Sequence, residues 1–191
     1  KLSVSHGWNS NDVYVAKAGG DPTSPDFKPL AVGENNHFYV TEFNGFFYIM
    51  TDHEAPKYKI MRVSCDTPDL SNKSKWEEFI PEQESTLDDF RIIGGKAVLG
   101  YQVKACSRLE LMDLVSGDRQ EIPLPTLGTV TAITGEEDQP EMHYSFESYA
   151  VPDSIYRLNI QTGSQEKVDG LKVDVDLSGI TTEQVTYNSK D

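Results

Sequence analysis

Cysteines and long apolar runs are scarce in this chain, and each scarcity excludes a class of protein. The 191 residues include only two cysteines, Cys65 and Cys106, which is too few for a disulfide-stapled domain. We therefore expect both to be buried thiols in a reducing compartment, the cytoplasm. No apolar run approaches the roughly 20 residues of a membrane-spanning helix, and no signal peptide is visible. A membrane is accordingly not an expected partner.

Basic residues are also in short supply, 17 against 31 acidic ones, and the formal net charge is −14. A surface of this sign repels phosphate backbones, so nucleic acid is not an expected partner either. The charge is accounted for by solubility. The alternative, a field that attracts basic partners, has no local cluster to support it.

The motifs of nucleophilic catalysis and of phosphate binding are missing. A hydrolase elbow requires Gly-x-Ser-x-Gly, and this motif does not occur in the chain. The glycine pairs, such as Gly94 and Gly95, lie between predicted strands and are interpreted as turns. Four histidines remain: His6, His37, His53 and His143. His143 lies in a strand pattern and His53 in a loop, and we assign them packing and structural roles rather than general-base work.

Metal ligands in a recognisable pattern are absent as well. There is no Cys-x-x-Cys pair for zinc, and residues 174–179 begin like a calcium loop but place Val185 where a bidentate Glu is needed. The sequence thus predicts no catalytic residue, no metal and no cofactor in this chain.

Short β-rich runs, punctuated by Gly, Pro, Asp and Asn, are abundant and predict many short antiparallel strands. Four of these runs align, and they share apolar residues in their second, fifth and seventh columns. The second column recurs every 46 to 49 residues, at Val13, Ile60, Leu109 and Ile155. A second ladder recurs with a similar spacing, at Phe47, Ala97 and Met142. Both periods match the roughly 40–50 residues of one blade of a β-propeller.

The repeat predicts an all-β fold, a β-propeller with four-stranded antiparallel blades, of which this chain supplies about three and a half. We predict a partial blade over residues 1–34, then blades over 35–83, 84–125 and 126–170, then an exit segment over 171–191. In the first complete blade the strands are predicted at 38–43, 46–51, 60–65 and 76–80. A β-sandwich is the rival, but it would not require self-similarity at this period.

An incomplete propeller is predicted to leave apolar blade faces uncovered at both ends, because each blade buries its faces against its neighbours. The chain also lacks an initiator Met. We therefore expect it to be a piece of a longer product, or to be completed by another chain.

Several runs resemble the prolyl oligopeptidase family, in the family's order along the chain. These are residues 51–60, 107–109, 121–125, 128–130, 145–149, 155–157 and 187–191. The resemblance implies a seven-bladed propeller paired with an α/β-hydrolase domain, whose Ser-Asp-His triad cuts short peptides after proline. It further implies that the propeller caps the active site and admits small peptides only. The partners would be that hydrolase domain, the remaining blades of the same protein and short proline-containing peptides.

The chain departs from the family in two respects. No hydrolase domain is present, so we predict that this chain alone is inactive. Some relatives also place a pocket cysteine on the strand equivalent to residues 12–18, whereas Val15, Ala16 and Lys17 stand there in this sequence. Two alternatives stay open: a propeller scaffold for protein–protein interaction, and the propeller of a related peptide macrocyclase.

The innermost strand of each blade faces the central channel of a propeller, and its side chains are the candidate site. They line the route of a peptide to the hydrolase, or else they form a solvated wall without selectivity. The candidates are Thr41, Glu42, Asp89, Arg91 and Thr131.

Overall fold

The structure, a computed structural model, describes residues 1–21, 23–174 and 179–188. Within these residues the chain forms β-strands and one short 3₁₀ helix, and every strand pairing is antiparallel. Strands that follow each other along the chain lie side by side in four separate sheets. This is the all-β arrangement that the repeat predicts.

The first sheet has three strands and the other three sheets have four each. The first contains β1 (Leu2–Ser5), β2 (Asn11–Val15) and β3 (Lys28–Ala31). The second contains β4 (Phe38–Phe43), β5 (Phe46–Thr51), β6 (Lys59–Ser64) and β7 (Glu77–Ile80), with the 3₁₀ helix Lys73–Lys75 before β7. The third contains β8 (Thr86–Ile93), β9 (Lys96–Val103), β10 (Cys106–Asp113) and β11 (Arg119–Ile122). The fourth contains β12 (Thr129–Gly135), β13 (Glu141–Glu147), β14 (Ser154–Asn159) and β15 (Gln165–Gly170).

The strands of the second sheet test the repeat most directly. The first two coincide with the predicted ranges, and β6 begins and ends one residue earlier than predicted. The fourth strand begins after Trp76 rather than at it. The reason is local: the Trp76 backbone N–H donates to the Lys73 carbonyl and ends the 3₁₀ helix, while its indole Nε1 donates to the Leu70 carbonyl at 2.8 Å.

Three hairpins have two-residue turns with positive φ at both positions, which matches the right-handed twist of the flanking strands. Asn44 and Gly45 join β4 to β5, with φ of 50° and 78°, and the two glycines Gly94 and Gly95 join β8 to β9. The third turn, between β9 and β10, is made by Lys104 and Ala105, with φ of 49° and 64°. A side chain in this region carries a steric penalty, so this third turn is strained.

The described chain divides into two compact units, Lys1–Leu87 and Asp88–Asp191, each with its own core. In the first unit the core is drawn from the first two sheets and includes Leu30, Phe38 and Ile49. In the second unit it is drawn from the last two sheets and includes Leu109, Met142 and Phe146. Both cores are continuous across two sheets, as expected of stacked blades.

The second and fifth aligned columns are buried in three of the four repeats, whereas the seventh is buried only at Ile160. The exception in the second column is Ile155, which is 37% exposed. The even-numbered residues of β14, such as Ser154 and Leu158, face the core, which leaves Ile155 on the opposite face. That face also carries Arg157, so it is more polar than the uncovered apolar face predicted for an incomplete propeller.

Candidate functional site

The five predicted channel residues all lie on the first strand of a sheet. Thr41 and Glu42 lie on β4, Asp89 and Arg91 on β8, and Thr131 on β12. Each of these strands pairs on one side only, at the edge of its sheet. Their position as a channel wall stays a prediction.

The structure brings one pair of these residues together. The Arg91 Nε donates to both carboxylate oxygens of Asp89, at 3.0 and 3.3 Å. A Cβ on Gly100 of the neighbouring strand would stand 3.4 Å from the Asp89 Cβ, an ordinary contact distance. The guanidinium is half exposed, so the pair contributes at most about 1 kcal/mol to stability. What it supplies is a fixed pair of opposite charges on an edge strand.

The other three candidates are held in different ways. The Glu42 Oε1 accepts from the Gly45 backbone N–H at 3.2 Å, across the hairpin turn. Thr41 is paired in register with Tyr48, a buried residue of β5. The β12–β13 register shifts between Val130 and Ala132, so Thr131 lies at a bulge. Bulges re-aim side chains, and Thr131 is exposed.

A group that the sequence did not single out lies in the first unit, where three histidines each contact a carboxylate. The nitrogen–oxygen distances are 2.9 Å for His6–Asp12, 3.1 Å for His37–Asp52 and 3.3 Å for His53–Glu34. The structural role predicted for His53 agrees with this geometry. No local motif reveals the His37 pair, because its members are 15 residues apart in sequence and meet only through the pairing of β4 with β5.

Hydrogen bonds hold the carboxylates of two of these pairs in the ionised form. Partial burial of Asp52 raises its pKa, but hydrogen bonds from the backbone and ring of His37 outweigh that effect, and the pKa falls below its ordinary value. The Gly33 N–H, aided by His6, likewise lowers the pKa of Asp12. Both groups are therefore anions at neutral pH.

Both cysteines are free and half-buried, which is less burial than predicted. Desolvation, together with the charges of Glu42 and Asp66, raises the pKa of the Cys65 thiol. A thiol so disposed is a poor nucleophile at neutral pH. Cys65 lines a cavity of about 630 Å³ together with Val15 and Lys17.

Within the described residues, no three His, Cys, Asp or Glu side chains are placed to hold a metal ion together. Most of the calcium-loop fragment considered in the sequence, residues 175–178, lies outside the described residues. In the described part of the chain, no helix has the length and apolar character needed to cross a membrane.

Curated relatives match the chain from end to end. It is 26% identical to the prolyl endopeptidase of Elizabethkingia meningoseptica over 191 residues, which are 100% of this chain and 26% of that protein. It is 24% identical to the dual function macrocyclase-peptidase of Amanita bisporigera, with 95% of this chain and 25% of that protein covered. The chain thus spans about a quarter of the length of the relatives it matches.

Solved structures of prolyl oligopeptidases also superpose on this chain. A structure from a study of two prolyl endopeptidases, concerned with inter-domain dynamics in catalysis and specificity, superposes with a TM-score of 0.82 at 29% identity. It covers 96% of this chain and 26% of that one. The apo prolyl oligopeptidase B of Galerina marginata shares the fold, with a TM-score of 0.80 at 19% identity over 94% of this chain and 26% of that one.

The sequence profile of the family described as "Prolyl oligopeptidase, N-terminal beta-propeller domain" matches residues 1–170. That range contains every strand of the four sheets. The chain therefore belongs to the prolyl oligopeptidase family and represents its N-terminal β-propeller domain.

Proposed function

We propose that this chain is the non-catalytic propeller part of a prolyl oligopeptidase and that it gates the access of short peptides to a hydrolase active site. The observation that carries the proposal is coverage: the chain matches the family's propeller domain over residues 1–170 and only about a quarter of each relative's length. The lack of a Gly-x-Ser-x-Gly elbow agrees with it, because the chemistry then belongs to another part of the protein.

The proposed mechanism is steric. The first strand of each blade faces a channel that admits an extended peptide and excludes a folded protein. In this arrangement the Asp89–Arg91 pair and Thr131 present polar side chains to the passing peptide. The opposite charges of the pair cancel locally, so the wall binds neither the positive amino terminus nor the negative carboxyl terminus of a peptide. A peptide therefore passes rather than being held.

The proposal divides the chain into a partial blade at residues 1–34, blades at 35–83, 84–125 and 126–170, and an exit segment at 171–191. The exit segment leads toward the hydrolase domain. The partners are that domain, the remaining blades of the same protein and short proline-containing peptides. The expected setting is the cytoplasm.

Size selection in the longer protein tests the gate. We expect the double variant Asp89→Ala/Arg91→Ala to raise kcat/KM for a proline-containing peptide of about 30 residues more than for one of about 5 residues, because removing both side chains widens the channel. Glu121→Ala, on the outer strand β11, is the control and should leave the ratio unchanged. If the double variant leaves the ratio of the two rates unchanged, these residues do not form the wall.

The isolated 191-residue chain gives the complementary test. It should fail to cleave a chromogenic proline peptide at any concentration. Cleavage by the purified chain would place the chemistry within it and refute the non-catalytic assignment.

The match to a macrocyclase-peptidase over 95% of this chain favours a second candidate, the propeller of a peptide macrocyclase. Mass spectrometry of the longer protein's products separates the two. A linear product carries one added water, whereas a cyclic product does not.

A further inference from the structure

The ring of His37 connects two sheets of the first unit. It lies in the segment between β3 and β4, and it stacks on Tyr39 of β4 with a centroid distance of 6.1 Å and an interplanar angle of 4°. On one side its Nδ1 is 3.1 Å from the Asp52 carboxylate, which follows β5. On the other side its Nε2 is 3.0 Å from the Trp8 backbone carbonyl, in the turn between β1 and β2.

Both of these partners can only accept a hydrogen bond. A backbone carbonyl has no proton to give, and the Asp52 carboxyl is ionised because its pKa lies below the ordinary value. The two contacts therefore require a proton on Nδ1 and another on Nε2 at the same time. Only the imidazolium form of His37 satisfies both.

The neutral ring must give up one contact. A hydrogen bond to a carboxylate is about twice as strong as one to a neutral oxygen, so the remaining proton stays on Nδ1, against Asp52. The Nε2 lone pair then faces the Trp8 carbonyl oxygen, and this contact becomes repulsive. The Tyr58 hydroxyl, 3.4 Å from Nδ1, opposes this outcome, since it can donate to Nδ1 and hold the other tautomer.

We propose that His37 is a pH-sensitive latch, whose imidazolium ties the β1–β2 turn of the first sheet to the second sheet and whose deprotonation releases that turn. The direction follows from the geometry: the contact is present at low pH and is lost as pH rises. Loss of one ring proton removes one of the two donors that these contacts require. The latch stands on contacts within the first unit and does not depend on the proposed gate.

Other charged groups lie near the latch and must be distinguished from it. His6 contacts Asp12, and His53 contacts Glu34, which also pairs with Lys73. His6 lies in the same turn as Trp8, so its contact with Asp12 is the principal competing explanation. The pair it makes, however, lies within the first sheet and does not reach β4 or β5.

Amide hydrogen exchange of the 191-residue chain tests the latch. Between about pH 5.5 and about pH 8, after correction for the intrinsic pH dependence of exchange, protection of residues 6–10 should fall about fivefold, as expected for one lost hydrogen bond. The reporting amide is that of His6, which donates to the Ser10 carbonyl at 2.9 Å and closes the turn. Protection of β10, in the second unit, should not change. A wild-type chain in which residues 6–10 show no pH dependence would overturn the proposal.

Three variants locate the effect. His37→Gln should abolish the pH dependence of residues 6–10, whereas His6→Gln should retain it. Tyr58→Phe should enlarge it, because the hydroxyl that favours the Nε2–H tautomer is gone. Loss of the pH dependence in His6→Gln, or its persistence in His37→Gln, assigns the effect to another group and refutes the latch.

Nitrogen NMR of the wild-type imidazole keeps the test informative if His37→Gln does not fold. The expected spectrum is an imidazolium at low pH and a neutral ring protonated on Nδ1 at high pH. A neutral ring protonated on Nε2 throughout would keep the Trp8 contact and contradict release.

Discussion

The two units of the chain share one fold and differ in how their loops and faces are charged. In the first unit three of the five ion pairs involve histidine, whereas all four pairs in the second unit join arginine to a carboxylate among the residues described. Arginine keeps its charge at every physiological pH, while histidine does not. The ion pairs of the second unit therefore keep their positive charge near neutral pH, whereas three pairs of the first unit are charged only when a histidine is protonated.

The arginines of the second unit also form the denser network. The Glu110 carboxylate contacts Arg108 at 3.1 Å and Arg119 at 3.3 Å, and Arg108 lies over the Tyr101 ring at 5.0 Å. Burial raises the pKa of the Tyr101 hydroxyl, and this effect outweighs the opposing influence of Arg119. The hydroxyl therefore stays protonated. Every ion pair described in the second unit thus contains arginine, whereas only two of the five in the first unit contain Arg or Lys.

The largest expected effect tests whether each unit has an independent core. Phe146 is 0% exposed in the second unit, and Phe38 is 2% exposed in the first. Truncation of either to Ala should lower the free energy of unfolding by about 3–5 kcal/mol, through lost burial and a residual cavity. Hydrogen exchange should show the loss confined to the unit that carries the change. Equal loss of protection in both units would mean that they unfold as one.

A glycine at the start of the fourth sheet gives the next largest effect. A Cβ on Gly128 would stand 2.4 Å from the Glu147 carbonyl oxygen and 2.5 Å from the Phe146 Cζ, so Gly128→Ala must displace backbone. We expect a loss of about 2–3 kcal/mol in urea unfolding. Gly20→Ala in the first unit is the control, since its nearest neighbour is the Lys17 carbonyl at 3.8 Å. Chain entropy favours Gly→Ala, so a similar loss in both variants would show that the clash at Gly128 is not its cause.

Alkaline pH should act on the second unit through Tyr144. This hydroxyl is buried, and burial together with the neighbouring Tyr156 raises its pKa from 10.0 to about 12. The folded state thus holds the proton more tightly than the unfolded state. Stability is full below about pH 10 and falls as pH rises toward 12, by about 2 kcal/mol at most. Tyr144→Phe should remove this decline, and a decline of unchanged size in that variant would assign it to other groups.

The strands were predictable because their apolar columns and turns repeat along the chain. Val13, Ile60 and Leu109 occupy the same place in three sheets. The dipeptide Asn44-Gly45 is itself a strong sequence signal for a two-residue hairpin turn. The histidine–carboxylate pairs were not predictable, because His37 and Asp52 become neighbours only when β4 pairs with β5 in one register. The Asp89–Arg91 contact is an intermediate case. Two residues apart on one strand, they share a face, but only the structure shows that they meet.

The smallest expected effect concerns two hairpin turns, one from each unit, that differ in whether glycine occupies the second position. Asn44-Gly45 in the first unit places a glycine at its second position, whereas Lys104 and Ala105 in the second unit place side chains at both. Ala105→Gly should therefore raise the free energy of unfolding by about 0.5–1 kcal/mol, since the relief of strain exceeds the added freedom of the unfolded chain. Gly45→Ala is the matched reverse change. A Cβ there has open space around it, so a loss of about 1 kcal/mol would come from φ alone. Thermal unfolding of both variants checks this comparison. If Gly45→Ala lowers the free energy of unfolding but Ala105→Gly does not raise it, then Lys104 and Ala105 make compensating contacts that the backbone angles do not reveal.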